Sequence, residues 1–279
     1  MELQQKLVVT WNAANIVPES SAISTALPLA RRVAAVTGAS GGIGRAIALE
    51  LARQGADVLV HGCTRPAVAQ TLASAIGDLG RRSHAVIADL TDASARAVLA
   101  KEAWDWQDGV DIWINNAGAD VLTGEAANWP FDRKLARLWR VDVEATIALS
   151  RLIGQQMKSR TGRGGTILNI GWDQAEQGMA GDSGEMFAAV KGAIMAFSRS
   201  LAQSLAPEVR VNCLCPGWIR TTWGEHASAY WQERAARQSL VGRWGTPEDV
   251  ARPAAFLVSP AAEFITGQVI NVNGGFRYA

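Results

Sequence analysis

Thr37-Gly38-Ala39-Ser40-Gly41-Gly42-Ile43-Gly44 is the stretch on which the reading of this chain turns. The apolar run Val33-Ala34-Ala35-Val36 before it reads as a buried strand, and Arg45–Arg53 after it reads as an amphipathic helix. In that order, the unpaired N–H groups of a helix N-terminus face the turn. Together with the helix dipole they can hold a diphosphate. Gly38, Gly42 and Gly44 let the chain turn tightly and let phosphates approach the backbone. The strand before and the helix after make this a nucleotide-site signal rather than an ordinary turn of small residues.

Outward from this stretch the chain alternates. Strands are expected at Ala56–His61, Ser83–Ala88, Val110–Ile114, Gly165–Ile170, Val209–Cys213 and Gln268–Val272. Helices are expected at Pro66–Gly80, Asp92–Trp104, within Arg133–Ser159, at Gly184–Leu205 and at Pro247–Val258. Thr246-Pro247-Glu248-Asp249 is a strong start signal for the last of these. Such alternation means a parallel sheet covered by helices on both faces, with ligands at the carboxyl ends of the strands. No linker to a second domain is seen, so residues 31–279 read as a single nucleotide-binding domain. Residues 1–30 read as an N-terminal extension, partly ordered at best, with a docking arm on a neighbouring subunit as the alternative.

The totals exclude several classes. A length of 279 residues suits one large α/β domain. The net charge of +1 suggests neither a nucleic acid nor an anionic membrane as partner. No run is long and apolar enough to span a bilayer. Cys63, Cys213 and Cys215 fit neither a disulfide framework nor a common zinc pattern, and His61, His84 and His226 are scattered, so no metal is expected. A reducing, cytoplasmic setting fits. Eleven tryptophans against two tyrosines is the unusual ratio, and it bears on the chemistry below.

Further motifs recur in order: Asp89-Leu90, Asn115-Asn116-Ala117-Gly118, Cys215-Pro216-Gly217 with Thr221, Gly245-Thr246-Pro247-Glu248-Asp249-Val250-Ala251, and Ile265-Thr266-Gly267-Gln268 leading to Asn273-Gly274-Gly275. Together with the glycine turn they resemble the short-chain dehydrogenase/reductase family over about residues 31–275. The resemblance implies a doubly wound (Rossmann) seven-stranded parallel sheet, a bound NAD or NADP, a small-molecule substrate, and a homodimer or homotetramer. It places Gly38, Ser40, Gly42, Ile43 and Gly44 on the diphosphate, and Asp89 and Leu90 at the adenine. Asn116, Ala117 and Gly118 then lie along the adenosine ribose. Ile170 and Lys191 join the cofactor set, and Pro216, Gly217, Ile219 and Thr221 hold the nicotinamide side. The second strand ends His61-Gly62-Cys63-Thr64-Arg65, with no acid to bind a ribose 2′-hydroxyl. Thr64 and Arg65 can donate to a 2′-phosphate, which favours NADP over NAD; the alternative is that Arg65 is a solvated helix-start residue.

The family's catalytic pattern is where this chain departs. That pattern uses a tyrosine as proton donor, a lysine four residues later, a serine that orients the substrate oxygen and an asparagine on the preceding long helix. Here Lys191 is present, but the tyrosine position is Phe187, the serine position falls at Trp172, and Asp142 stands where the asparagine is expected. A phenyl ring has no proton to give, and an indole N–H only donates. Asp173, Glu176, Asp182 and Glu185 on the loop to Phe187 are substitute acids, provided an apolar setting raises a carboxyl pKa. Asp142 alternatively pairs with Lys191, and Tyr230 lies in the expected lid after Thr221. Two functions remain open. One is an oxidoreductase on an apolar or aromatic carbonyl or alcohol with a non-standard proton donor. The other is a catalytically inactive relative that binds NADP(H) or a partner subunit.

Overall fold

The computed structural model describes residues 27–277. Its strands are β1 (Val33–Val36), β2 (Asp57–Gly62), β3 (Ser83–Ile87), β4 (Ile112–Asn115), β5 (Gly165–Ile170), β6 (Val209–Pro216) and β7 (Val269–Val272). The helices are α1 (Gly42–Arg53), α2 (Pro66–Asp78), α3 (Ala93–Asp105), α4 (Phe131–Leu138), α5 (Ala145–Ser159), α6 (Asp182–Leu205), α7 (Thr222–Glu225), α8 (Ala229–Gln238) and α9 (Pro247–Val258). All seven strands pair in parallel, in the order β3-β2-β1-β4-β5-β6-β7. The order reverses between β1 and β4, which puts a switch point at the end of β1, where the glycine turn begins.

Period-two alternation divides the core into two layers. Ala34, Val36, Val58 and Val60 face one layer, with Ile47 and Leu51 of α1 and Val250 and Ala254 of α9. Ala35, Leu59 and Trp113 face the other, with Leu99 of α3, Leu149 and Ile153 of α5 and Leu201 of α6. Both faces of β1 are therefore buried, which is why its sequence is apolar without alternation. Helix α9 starts with a complete capping box. Thr246 accepts from the Asp249 N–H, and Asp249 accepts from the Thr246 N–H at 2.8 Å.

Three sequence expectations are adjusted. The body of the domain begins before residue 31: Leu29 is fully buried and its N–H donates to the Gln54 carbonyl at 2.8 Å. Residues 1–26 of the expected extension lie outside the described residues. The long helix expected within 133–159 is α4 and α5 joined by a π-helical segment, Trp139–Glu144, which carries Asp142. The stretch after Thr221 forms two helices, α7 and α8, that the sequence reading left unassigned. Among the described residues, no helix is long and apolar enough to cross a membrane.

Candidate active site

At the glycine turn, Gly38 and Gly42 have φ of +62° and +52°, conformations that L side chains rarely adopt. Space forbids side chains at two of these positions as well. A Cβ on Gly38 would lie 2.7 Å from the Ala117 Cα, and one on Gly44 would lie 2.4 Å from the Gly38 carbonyl oxygen. Helix α1 has no side-chain cap and no acid in its first turn. Its N-terminal donors are thus not used by the protein's own carboxylates, and the turn fits a diphosphate.

The turn is pinned from three sides. The Thr37 hydroxyl accepts from the N–H groups of Asn116 and Ala117, each at 3.0 Å, and the Asn116 side-chain amide donates to the carbonyls of Thr37 and Gly38. His61 Nδ1 accepts from the Gly38 N–H at 3.2 Å, so Nε2 carries the proton and donates to the Ala88 carbonyl at 3.0 Å. Burial holds this imidazole below its ordinary pKa, and therefore neutral. His61 reads from the sequence as one of three scattered histidines. Its position on β2, level with the turn that follows β1, is the signal that marks it.

The residues expected at the adenine and ribose lie at adjoining strand ends. Asp89 caps its own turn, accepting from the Thr91 N–H and hydroxyl, and these bonds hold its carboxyl below the usual range. Leu90 is buried. Thr64 is exposed, and the exposed Arg65 reaches back over the turn, its Nη2 lying 3.4 Å from where a Gly41 Cβ would be. No acid pairs with Arg65 among the described residues. On the far side, Thr221 Cγ2 would meet a Gly42 Cβ at 3.3 Å, which brings the Pro216–Thr221 segment, with Gly217 and Ile219, against the glycine turn.

At the carboxyl end of β5, Lys191 and Asp142 of the expected catalytic set meet. Lys191 Nζ lies 2.9 Å from Asp142 Oδ2 and donates to the Ile170 carbonyl at 3.4 Å. Asp142 is buried, and its other oxygen accepts the Ala119 N–H at 2.9 Å. A Cβ on Gly118 would come within 3.0 Å of Asp142, so glycine at 118 leaves room for the pair. Trp172 and Phe187 form an edge-to-face pair with ring centroids 6.2 Å apart.

The four substitute acids separate cleanly. Glu176 is exposed and paired with Arg199 at 3.1 Å, and Asp182 and Glu185 are exposed in the first turn of α6. Asp173 is fully buried. Its Oδ2 accepts from Asn273 Nδ2 at 3.0 Å, and its Oδ1 is buried with no hydrogen-bond partner. Burial pushes this carboxyl up to about 6, opposed by the Asn273 amide and weakly by backbone N–H groups of its own turn. Tyr230 is exposed and its hydroxyl is engaged by Arg234 at 3.2 Å. Behind it Trp218, Trp223, Trp231 and Trp244 pack together with ring centroids 5.4–6.2 Å apart. The Cys213 and Cys215 sulfurs lie 3.9 Å apart, buried and unbridged.

A doubly wound sheet with an open glycine turn at its switch point defines a dinucleotide-binding protein. Comparison with known proteins narrows this class. The family model for Enoyl-(Acyl carrier protein) reductase matches residues 38–277. A 3-oxoacyl-(acyl-carrier-protein) reductase of Aquifex aeolicus is 33% identical over 259 residues, covering 89% of this chain and 98% of its own. The structure of a 7α-hydroxysteroid dehydrogenase with NADH and 7-oxo glycochenodeoxycholic acid superposes with a TM-score of 0.81 at 30% identity, covering 90% of this chain and 96% of that one. A Burkholderia cenocepacia short-chain dehydrogenase in complex with NADP gives a TM-score of 0.79 at 32% identity, covering 89% and 98%. The chain belongs to the short-chain dehydrogenase/reductase family.

Proposed function

We propose that this protein is an NADP-dependent oxidoreductase acting on an apolar or aromatic carbonyl or alcohol, with a proton donor other than the residue at position 187. The observation that carries the reading is the glycine turn. Its two positive-φ glycines, its uncapped helix and its His61 and Asn116 anchors keep a phosphate cradle open. Gly38, Ser40, Gly42, Ile43 and Gly44 would hold the diphosphate. Asp89, Leu90, Asn116, Ala117 and Gly118 would line the adenosine, and Ile170, Lys191, Pro216, Gly217, Ile219 and Thr221 the nicotinamide ribose and ring. Thr64 and Arg65, which pairs with no acid among the described residues, favour the 2′-phosphate of NADP, to which a guanidinium donates well. The bound dinucleotide supplies or accepts a hydride.

The chain's own residues set the rest of the chemistry. Asp142 neutralises Lys191 and fixes its ammonium beside the end of β5, so this lysine acts as an anchor. Trp172 and Phe187 present aromatic faces where the family pattern has a serine and a tyrosine, which favours an apolar substrate and excludes water. The assembly proposed is a homodimer or homotetramer. The exposed Trp139 and Leu152 on the α4–α5 side and the fully exposed Phe264 near β7 support it.

Two measurements test the reading. NADPH should bind at least tenfold more tightly than NADH by nicotinamide fluorescence, and Arg65→Ala should erase most of that difference; equal affinities would contradict the choice of NADP. Deuteride from labelled NADPH should appear in the product of at least one member of an apolar carbonyl panel. Binding without transfer in the natural chain, with transfer in Phe187→Tyr, would identify the inactive relative instead.

A further inference from the structure

We infer that Asp173 is the proton donor of this site, taking over at a new position the role that the residue at 187 cannot perform. The inference rests on the oxidoreductase reading above and names the group that completes it. Asp173 leaves the end of β5 two residues after Gly171, whose N–H still pairs with the Leu214 carbonyl at 2.8 Å, so the sheet itself fixes its position. A Cβ on Gly217 would lie 3.1 Å from Asp173 Oδ2, so the carboxyl packs directly on the backbone assigned to the nicotinamide side. Asn273, at the end of β7, holds Oδ2 at 3.0 Å and leaves Oδ1 buried and unpartnered.

Buried oxygens without partners are rare in folded proteins, because each forfeits its hydration. A carboxyl retained in that state fits a group whose partner arrives with the substrate. The charged groups on packed elements do not compete for it. Glu176 is tied to Arg199, Lys191 is tied to Asp142, and Asp182 and Glu185 are exposed. Burial also raises the carboxyl to about 6, so a protonated fraction persists near neutrality.

As hydride adds to the carbonyl carbon, the oxygen develops negative charge and takes the proton of the Asp173 carboxyl. The O–H bond of Asp173 breaks, a new O–H bond forms on the product, and the electron pair stays on the carboxylate, which takes its next proton from water admitted when the product leaves. In the oxidation direction the carboxylate accepts the alcohol proton.

Asp173→Asn is the discriminating variant, because its side-chain oxygen can still accept from Asn273 while the acidic proton is gone. Single-turnover deuteride transfer should slow by about 10²–10⁴. NADPH affinity should stay within about twofold, and the variant should melt no lower than the natural chain at pH 8. Adding Phe187→Tyr to Asp173→Asn should recover part of the rate. A natural chain that transfers label, matched within about threefold by Asp173→Asn, overturns the role of Asp173 and leaves the oxidoreductase reading standing. A natural chain that binds NADPH and transfers no label overturns both. Should Asp173→Asn fail to fold, infrared difference spectra of the natural chain decide. Loss of a protonated-carboxyl band during turnover is expected, and its absence overturns the inference.

Discussion

At the scale of single residues, Asp173 carries a cost that stability measurements can read. Its folded pKa of about 6 lies above the ordinary 3.8, so the folded state holds the proton more tightly than the unfolded chain. Stability is then greatest below about pH 4, falls as pH rises to about 6, and stays reduced above that. The difference of about two units corresponds to about 3 kcal/mol. Asp173→Asn should therefore stabilise the protein at pH 8 and leave it unchanged near pH 3.5, as read by urea unfolding at the two pH values. Equal effects at both would place the carboxyl outside the burial described. The sequence offered Asp173 as one of four substitute acids, but which of the four is buried was not legible. A loop acid is ordinarily solvated, and this one packs against Gly217 and accepts from Asn273, one hundred residues further on. The Lys191–Asp142 pair, by contrast, was legible as an alternative, because both residues fall on long helices at positions the family pattern brings together. Helical spacing alone could not reveal the π-helical segment that carries Asp142, since a single widened turn leaves no change in residue type.

At the scale of elements, the glycine turn is held by neighbours as much as by its own sequence. Gly44→Ala would push a methyl group to 2.4 Å from the Gly38 carbonyl oxygen and 2.3 Å from the Asn116 amide nitrogen. The turn must then open, and NADPH affinity should drop at least tenfold in a fluorescence titration; retention of affinity would show that the cradle tolerates rearrangement. His61→Leu removes the partner of the half-buried Gly38 N–H and that of the buried Ala88 carbonyl, and the unpaired buried carbonyl should cost about 1–3 kcal/mol by urea unfolding. Thr246→Ala deletes one half of the α9 capping box and should cost about 1 kcal/mol by urea unfolding, with cofactor affinity retained. The turn, the strands and most helix starts could be read from the chain because apolar runs, glycines and Thr-Pro signals are local. The lid helices α7 and α8 escaped because their order depends on a tryptophan cluster drawn from four separate positions.

At the scale of the whole molecule, the parallel sheet puts all of this at one end and leaves the other end to a different task. There the buried Asp111 accepts the Val33 N–H at 2.9 Å and meets Arg160 at 2.9 Å and Arg163 at 2.6 Å. Asp111→Ala should cost about 1–3 kcal/mol by urea unfolding, because it leaves the buried Val33 N–H without its partner, while leaving NADPH affinity unchanged at temperatures where the fold persists. That the sheet is parallel and covered on both faces followed from the alternation of strands with helices, whereas the order of its strands did not. What the family's motifs could not supply is the reaction, since the departures read from the sequence fall at the positions where the resemblance expects the catalytic groups: Trp172, Phe187 and Asp142. The central claim is that hydride transfer proceeds with phenylalanine at position 187. It is tested most directly by incubating the natural chain with deuterated NADPH and an apolar carbonyl panel, and locating the label by mass spectrometry. Deuterium on the former carbonyl carbon of a product is expected. NADPH bound but label never transferred, except after Phe187→Tyr, would show that the natural chain does not carry out the transfer.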